Sequence, residues 1–464
     1  MPKNRRMEIP RVGTPVGVRN DNVHRVRRAW VVLALGLFCV VAALITGRDL
    51  YYHLAYVFVA TLTLSAAWAW SATRGLRLSR YTRTSRAQVG RPLEEHFSLR
   101  NTWWLPKLWV TVHDYSDLTG HHASRVIHDL RPRQEYGWTV RTLCERRGRF
   151  RLGPVVISST DPLGLFEFRR TFSQTGSIVV YPATVPMQSF PYPVGYLPGG
   201  DALRRRTHHI TTNAAGVRDY VPGDGFNRIH WRSTAHKDRL IVKEFELDPM
   251  SDAWIFLDME RSVHYKVRED EAEVAMRERE PWWSRVEQLR LEPSTEEYAV
   301  TAAASVAEFL IRHRRAVGLA AYGQRREVIQ ADRDERQIGK ILDTLAALRA
   351  EGKIPFSQVL SVEGRRLARG AVLVAISPSV SEEWMQTALF LDRAGLRVVT
   401  ILVDAASFGG PLGTDMLEEQ LLATGGIAVR LRYGDPIKDV LNALPLPRNV
   451  PTLPSVYTVP SVVG

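Results

Sequence analysis

Two long apolar stretches lie near the beginning of the chain. Residues 29–47 contain no Asp, Glu, Lys or Arg over nineteen positions, and residues 50–73 give twenty-four more positions with His53 as the one interruption. A helix needs about 20 such residues to cross the hydrocarbon core of a bilayer. The pattern predicts a hairpin of two transmembrane helices. A signal peptide is the alternative for the first stretch, but the apolar core of a signal peptide is usually shorter.

Basic residues flank the two stretches on their outer sides. Eight Lys and Arg precede the first stretch and five Arg follow the second within residues 74–86, whereas the connecting turn holds Arg48 beside Asp49. Because positively charged flanks stay in the cytoplasm, we expect a multi-pass protein of the cell membrane with both ends cytoplasmic. The lipid bilayer is then a direct partner.

The hydrophobic period changes to two after the second stretch. Runs such as residues 95–99 alternate apolar and polar positions and are separated by Gly, Pro and Asp turns. Short alternating runs at this spacing predict a small β-sandwich-like domain over residues 76–200. We expect Trp103, Trp104 and Trp109 to pack in its core or on its strand faces.

Apolar strands and amphipathic helices alternate in the last part of the chain. The predicted strands are 253–257, 317–322, 371–376, 396–403 and 427–431, and the predicted helices are 295–315, 338–348, 382–393, 416–423 and 437–444. This alternation is typical of a doubly wound α/β domain with a mainly parallel sheet. In such sheets ligands bind beyond the carboxyl ends of the strands, and Asp258 follows the first strand.

The whole chain is thus predicted to be a membrane-anchored α+β protein in six segments. These are a basic cytoplasmic N-terminus (1–28), two transmembrane helices (29–73), the β-rich domain (76–200), a motif segment (201–250), the α/β domain (251–444) and a Pro-rich disordered tail (445–464). Residues 264–293 form a charged insertion in the α/β domain. A solvated helix and a partner-contact arm are both compatible with its pattern.

Charge and cysteine content narrow the class of protein. The net charge is +13, but residues 1–91 hold fifteen basic and three acidic residues, a net +12 that flanks the apolar stretches. The remaining chain has 47 basic and 46 acidic residues and is close to neutral. The charge therefore indicates membrane topology and leaves little electrostatic reason to expect a nucleic-acid partner. Two cysteines exclude a disulfide framework and a multi-cysteine zinc site.

One dense motif joins the β-rich and α/β parts of the chain. Residues 216–246 read GVRDYVPGDGFNRIHWRSTAHKDRLIVKEFE. Arg218, Asp224 and Arg228 could form an ion-paired cluster that fixes a joint between domains, with Trp231 as an apolar anchor. A partner-docking or anion-binding surface is the second interpretation. Catalysis is the third, but no paired base and nucleophile accompanies the motif.

These residues resemble the bacterial and archaeal family DUF58. The family pattern has R-x-Y-x-x-G-D followed by R-x-I-x-W, and the positions that match it and that we assign to motif or partner binding are Arg218, Tyr220, Gly223, Asp224, Arg228 and Trp231. Upstream, Arg147-Gly148 and the DPLGLF run at 161–166 resemble two further family elements, so the resemblance spans about residues 30–445. His230 stands where the family has Asp, and His236 stands where it has Arg.

The α/β domain is also similar to the von Willebrand factor A fold, as the family's C-terminal part is often described. That fold binds a divalent cation through D-x-S-x-S after its first strand. Here Asp258, Glu260 and Ser262 occupy this segment, and oxygen ligands of this kind suit Mg²⁺. Glu260 replaces the first serine, and Ser377 stands where a later Asp is expected. A degenerate site without metal is therefore the other interpretation.

The resulting functional prediction is a membrane-anchored interaction or scaffold protein without catalytic residues or a required cofactor. The family resemblance implies a MoxR-type AAA+ ATPase as partner in the assembly or maturation of protein complexes at the cell envelope. Other membrane proteins are further expected partners. The alternative is a divalent-metal-dependent binding protein or enzyme that uses Asp258.

Overall fold

A computed structural model describes residues 21–172, 176–191, 214–220, 229–245, 252–268, 280 and 290–444. The chain forms two compact units. The first contains the described residues from 21 to 181, and the second contains those from 182 to 268 and from 291 to 444. Several predictions for 1–20, 192–213, most of 264–293 and the tail 445–464 lie outside the described residues.

The first unit begins with two apolar helices. Helix α1 spans Asp21–Thr46 and helix α2 spans Asp49–Thr73, joined through Gly47 at a φ of 66°. Both are long and apolar enough to cross a membrane, with mean hydropathy of 2.6 and 1.4 over their apolar segments. Their large side chains face outward, since Phe38 is 66% and Ile45 79% exposed. The predicted pair of helices is confirmed.

Ten strands follow in the first unit. They are β1 (Leu76–Thr82), β2 (Arg86–Gln88), β3 (Pro92–Asn101), β4 (Lys107–Asp114), β5 (Arg125–Leu130), β6 (Glu135–Leu143), β7 (Gly148–Leu152), β8 (Val155–Thr160), β9 (Glu167–Phe172) and β10 (Gly176–Tyr181). Two antiparallel sheets, β1-β3-β6 and β5-β4-β8-β9, enclose one core, and β2-β10-β7 forms a small third sheet. Phe97 and Trp138 of the first sheet stack at 5.2 Å within that core.

A network of buried charges crosses from one main sheet to the other. The guanidinium of Arg80 donates to both carboxylate oxygens of Glu95, at 3.0 and 2.8 Å, and to Asp114 at 3.2 Å. His121 Nε2 lies 2.9 Å from Asp114 and 3.3 Å from Glu95. The four side chains are at most 6% exposed. Burial alone would raise the pKa of Asp114, but hydrogen bonds from His121 and Ser116 and the charge of Arg80 hold it below its ordinary value.

Within its described residues, the second unit contains an antiparallel strand pair with a short helix and a six-stranded sheet with six helices. The pair is β11 (Ala214–Asp219) and β12 (Ile241–Phe245), with α3 (Trp231–Lys237) between them in the chain. The sheet strands are β13 (Ala253–Leu257), β14 (Val317–Tyr322), β15 (Arg326–Asp332), β16 (Val372–Ser377), β17 (Arg397–Val403) and β18 (Ile427–Leu431). The helices are α4 (Thr295–Arg312), α5 (Arg336–Ala347), α6 (Phe356–Gly364), α7 (Glu382–Arg393), α8 (Asp415–Ala423) and α9 (Ile437–Asn442).

The six-stranded sheet has helices on both faces. Its order is β15-β14-β13-β16-β17-β18, and all neighbours are parallel except the edge strand β15. Helices α4, α5 and α9 pack on one face of the sheet and form one hydrophobic core with it. Helices α6, α7 and α8 pack on the other face and form a second core. The predicted α/β domain with a mainly parallel sheet is confirmed. Strand β15 and helix α6 were not predicted from the hydrophobic pattern.

Neighbouring residues of β3 point to opposite faces of its sheet, so Glu95 in the buried network can be compared with Glu94 on the outer face. Replacing Arg80 by Gln leaves Glu95 and Asp114 buried without their cation, which we expect to cost about 3–5 kcal/mol of unfolding free energy. The matched control is Arg141→Gln, because Arg141 pairs at 3.0 Å with Glu94, the neighbour of Glu95, on the outer face. This exposed pair should contribute less than about 1 kcal/mol. Denaturant unfolding of the full chain in detergent measures both, and equal losses would contradict the assignment.

Candidate functional site

The candidate site lies where the order of the parallel strands reverses. After β13 the chain continues to α4 on one face of the sheet, and after β16 it continues to α7 on the other face. These two strands are neighbours, with Leu257 paired to Ile376. The connections therefore diverge between them at their carboxyl ends, the position at which doubly wound sheets bind ligands. We call this position the crevice. Asp258 and Ser377 stand at this position.

Asp258 is the acid at this position whose pKa is shifted most. Its side chain is fully buried, its Oδ2 accepts a hydrogen bond from Ser377 Oγ at 2.6 Å, and its Oδ1 accepts one from the backbone N–H of Glu260 at 3.0 Å. Burial raises its pKa to about 7, assisted by the charge of Glu260 and opposed by the two hydrogen bonds. Among the described residues no Lys or Arg forms an ion pair with it. Near neutral pH this carboxyl therefore holds a proton for a large part of the time.

The segment after Asp258 is fixed by a histidine. His264 Nε2 donates to the backbone carbonyl of Asp258 at 3.0 Å, and its Nδ1 lies 3.0 Å from the hydroxyl of Thr295 at the start of α4. A carbonyl oxygen only accepts, so the proton sits on Nε2. His264 and Thr295 thus tie the loop to the first helix of the domain. The sequence prediction missed both, because thirty-one positions separate them and no spacing rule joins them.

A glycine allows the loop before α6 to close against this segment. Gly352 N–H donates to the carbonyl of Met259 at 2.9 Å, and Gly352 accepts from Arg261 N–H at 2.9 Å. A Cβ atom at Gly352 would lie 2.1 Å from the carbonyl oxygen of Tyr322, so no other residue fits without a backbone shift. The crevice is therefore bordered by backbone on the β14 side.

The three predicted metal ligands lie close together in the sequence, but their side chains already form hydrogen bonds with other protein groups. Asp258 accepts from Ser377, while Ser262 Oγ donates to the carboxylate of Glu260. Glu260 is partly exposed and Ser262 is exposed. Within the described ranges, no group of three or more His, Cys, Asp or Glu has an arrangement that could hold a metal ion. These donors fit Mg²⁺ poorly, since its octahedral shell requires oxygens that converge on one point.

Some of the motif residues lie in the part of the chain that the structure describes, and others do not. Gly223, Asp224 and Arg228 lie outside the described residues, and for Arg218 the structure describes the backbone, which pairs with Val242 in β12. The N–H of Tyr220 donates to the carbonyl of Leu240 at 2.9 Å and continues this pairing. The predicted ion-paired cluster therefore stays a prediction.

Helix α3 lies between the paired strands in the chain and begins with a histidine cap. His230 Nδ1 accepts from the backbone N–H of Ser233 at 3.2 Å and lies 2.7 Å from its hydroxyl. Accepting from an unpaired N–H in the first turn is the role that Asp commonly performs at a helix N-cap. His230, which stands where the family pattern has Asp, thus still caps the helix. Trp231, the next residue, is 66% exposed.

The geometry thus combines an apolar helix pair, an antiparallel β unit and a mixed α/β unit whose crevice holds a buried acid. The family described as "Protein of unknown function DUF58" matches residues 216–277. Residues 216–277 are therefore a DUF58 region, which confirms the resemblance predicted from the motif.

One curated relative and several solved structures are similar to parts of the chain. The "Uncharacterized protein YeaD" of Bacillus subtilis (strain 168) is 21% identical over 378 residues, which cover 78% of this chain and 84% of that protein. The CARDB domain of the PF1109 protein from Pyrococcus furiosus is 14% identical over 23% of this chain and 91% of its own, with a TM-score of 0.17. The alkylpurine DNA glycosylase AlkC of Pseudomonas fluorescens is 14% identical over 30% of this chain and 42% of its own, with a TM-score of 0.16. At these TM-scores the likeness carries no inference.

The raised pKa of Asp258 predicts a distinctive pH dependence. In the unfolded chain this acid ionises near pH 3.8, whereas in the folded chain it ionises near pH 7. The folded state therefore binds more protons between these values, so its contribution to stability is present at low pH and is lost as the pH rises through about 7. Asp258→Asn should accordingly be more stable than the parent above pH 7, by a few kcal/mol at about 1.4 kcal/mol per pKa unit. The advantage should shrink towards pH 4.

Thermal unfolding of the full chain in detergent across this pH range measures the difference. Ser377→Ala provides a second variant, because losing its hydrogen bond raises the pKa of Asp258 further and moves the pH dependence upward. A difference between Asp258→Asn and the parent that stays constant from pH 4 to pH 8 would show that the carboxyl is not perturbed by burial.

Proposed function

We propose that this chain is a membrane-anchored, non-enzymatic docking protein that works with a MoxR-type AAA+ ATPase in the assembly or maturation of other complexes. Its two apolar helices span the cell membrane, and both chain ends lie in the cytoplasm. The concentration of basic residues outside the hairpin supports this orientation. The outward-facing Phe38 and Ile45 support an apolar surrounding for the helices, since large exposed apolar faces rarely meet water.

We further propose that the α/β domain is a von Willebrand factor A-like docking module. The strand order and the single antiparallel edge strand next to β14 support this proposal, because the helices then cover both faces and leave the carboxyl edge of the sheet open to a partner. In the crevice, Asp258 and Ser377 are both buried and hydrogen-bonded to each other, so their polar groups are engaged within the fold.

The observation that carries the docking proposal is the exposure of Trp231. This side chain is 66% exposed in the family motif, on a helix that His230 caps and that Thr234 ties to β12 through a 3.0 Å hydrogen bond with the N–H of Ile241. Tryptophan is among the residue types most enriched at the energetic centres of protein interfaces. The near-neutral charge of the cytoplasmic part suits a protein partner and gives no support for nucleic acid.

Copurification tests this function. We expect the full chain, solubilised from membranes in the presence of ATP, to retain an AAA+ ATPase, and Trp231→Ala to reduce the amount retained at least tenfold, since a hot-spot residue contributes about 2 kcal/mol or more. The matched control is Phe390→Ala, an aromatic residue of the same unit that is 57% exposed on α7. It should leave retention unchanged. Absence of any AAA+ ATPase from the parent preparation would remove the main support for the proposal.

A divalent-ion site at Asp258 is the alternative function. It is favoured by the position of Asp258 at the strand-order reversal, with the oxygens of Glu260 and Ser262 following it in the chain. We expect millimolar Mg²⁺ or Mn²⁺ to leave the unfolding temperature of the full chain unchanged, because these oxygens already bond to each other and to Ser377. An increase that Asp258→Asn abolishes would instead establish the metal-dependent alternative.

A further inference from the structure

The second apolar helix continues into the β unit without a linker. Gly75, two positions after the end of α2, has a φ of 70°, and β1 starts at the next residue. The backbone N–H and the hydroxyl of Thr102 both donate to the carbonyl of Gly75, at 2.7 Å each. A Cβ atom at Gly75 would lie 2.7 Å from the Cβ of Trp103. The segment that begins at residue 102 is therefore pressed against the end of the helix.

Two further contacts fasten the same segment. Lys107 Nζ donates to the carbonyl of Ser71 in the last turn of α2, where carbonyls lack helical partners. Trp103 packs edge-to-face on Trp70 at 6.2 Å, and the guanidinium of Arg74 stacks 3.8 Å from the ring centre of Trp70. The end of α2 and this edge of the β unit thus form one packed junction.

A second loop of the β unit lies at the start of the first apolar helix segment. The carboxylate of Asp161 accepts from the N–H groups of Leu163 at 3.0 Å and Phe166 at 2.7 Å, which folds the loop between β8 and β9. Gly164 has a φ of 68°, and a Cβ atom there would lie 3.7 Å from Nη1 of Arg28. Arg28 is the first residue of the apolar segment of α1. The antiparallel helices thus bring both β-unit segments to one end of the hairpin.

At this end the β unit exposes large apolar side chains beside arginines. Trp104, adjacent to the packed Trp103, is 72% exposed, and Leu163 at the tip of the loop is 58% exposed. The prediction that Trp104 packs in the core or on a strand face is therefore wrong. Arg28, near Gly164, and Arg74, stacked on Trp70, are also exposed at this end. We define Arg28, Arg74, Trp104 and Leu163 as the rim.

We propose that the rim is a membrane-contact surface that seats the β unit on the headgroup region of the cytoplasmic leaflet. Tryptophan concentrates at the headgroup level, where its ring is half in an apolar environment and its N–H meets water. Arginines at that depth attract anionic lipid, at about 1 kcal/mol each. The rim is continuous with the ends of the two apolar helices, so the lipid surface meets it when the helices span the bilayer. This inference rests on the proposed membrane-spanning hairpin.

Spin labels on the full chain in vesicles containing anionic lipid test the rim. Single variants Trp104→Cys and Leu163→Cys carry the label, and the matched control is Val126→Cys, an exposed residue of the same unit. Val126 pairs with Thr111, four positions along β4 from Lys107, which is roughly 13 Å from the junction. Phe38→Cys, in the middle of α1, reports on spanning. Both native cysteines are buried, and labelling of the parent chain gives the background.

The measured quantity is the collision rate of each label with oxygen, which concentrates in lipid, relative to a nickel chelate, which stays in water. We expect this ratio to be several-fold higher at positions 104 and 163 than at 126, and highest at 38. A high ratio at 38 with equal ratios at 104, 163 and 126 would overturn the rim while leaving the hairpin in the membrane. A low ratio at 38 would overturn the membrane-spanning hairpin and, with it, the rim.

Discussion

The buried carboxyl of Asp258 determines the arrangement of the carboxyl edge of the α/β sheet. A fully buried acid without a paired cation is costly to ionise, and the folded chain offsets this with hydrogen bonds from Ser377 and from the backbone of Glu260. The first bond joins β13 to β16 where the strand order reverses. The second bends the segment that His264 then ties to α4. The polar groups at the ends of β13 and β16 are consequently bonded to one another and to the following segment.

Much of the fold could be predicted because the hydrophobic period reports burial directly. The helix at 382–393 and the strands at 253–257, 317–322 and 427–431 agree with the structure at both ends. The first two of these strands are buried almost throughout, as their continuous apolar runs indicate. The edge strand β15 escaped prediction because it is only partly buried and carries charged residues such as Arg326. An edge strand has one neighbour, so it produces a weaker pattern than a central strand.

The position of the candidate site could be predicted from the sequence, but the hydrogen-bond partners of its residues could not. An acid directly after an apolar strand locates the edge of a parallel sheet, and Asp258 follows this rule. Its partner Ser377 lies far away in the chain, and only the pairing of β13 with β16 brings it near. Thr295, at the start of α4, is linked to Asp258 through His264. The physical roles of two family positions also emerge only in three dimensions. Asp161 folds a loop with its carboxylate, and His230 caps a helix in place of an acid.

The junction at Gly75 has a mechanical consequence. A flexible linker would allow the helices to tilt independently of the β unit, but here the carbonyl of Gly75 accepts two hydrogen bonds and Lys107 holds the last turn of α2. These bonds restrict bending between the helix and the sheet. With α2 in a bilayer, as we propose, a change in bilayer thickness that alters the tilt of α2 would also turn the β unit, and the lipid environment would then set the direction in which this part of the protein faces.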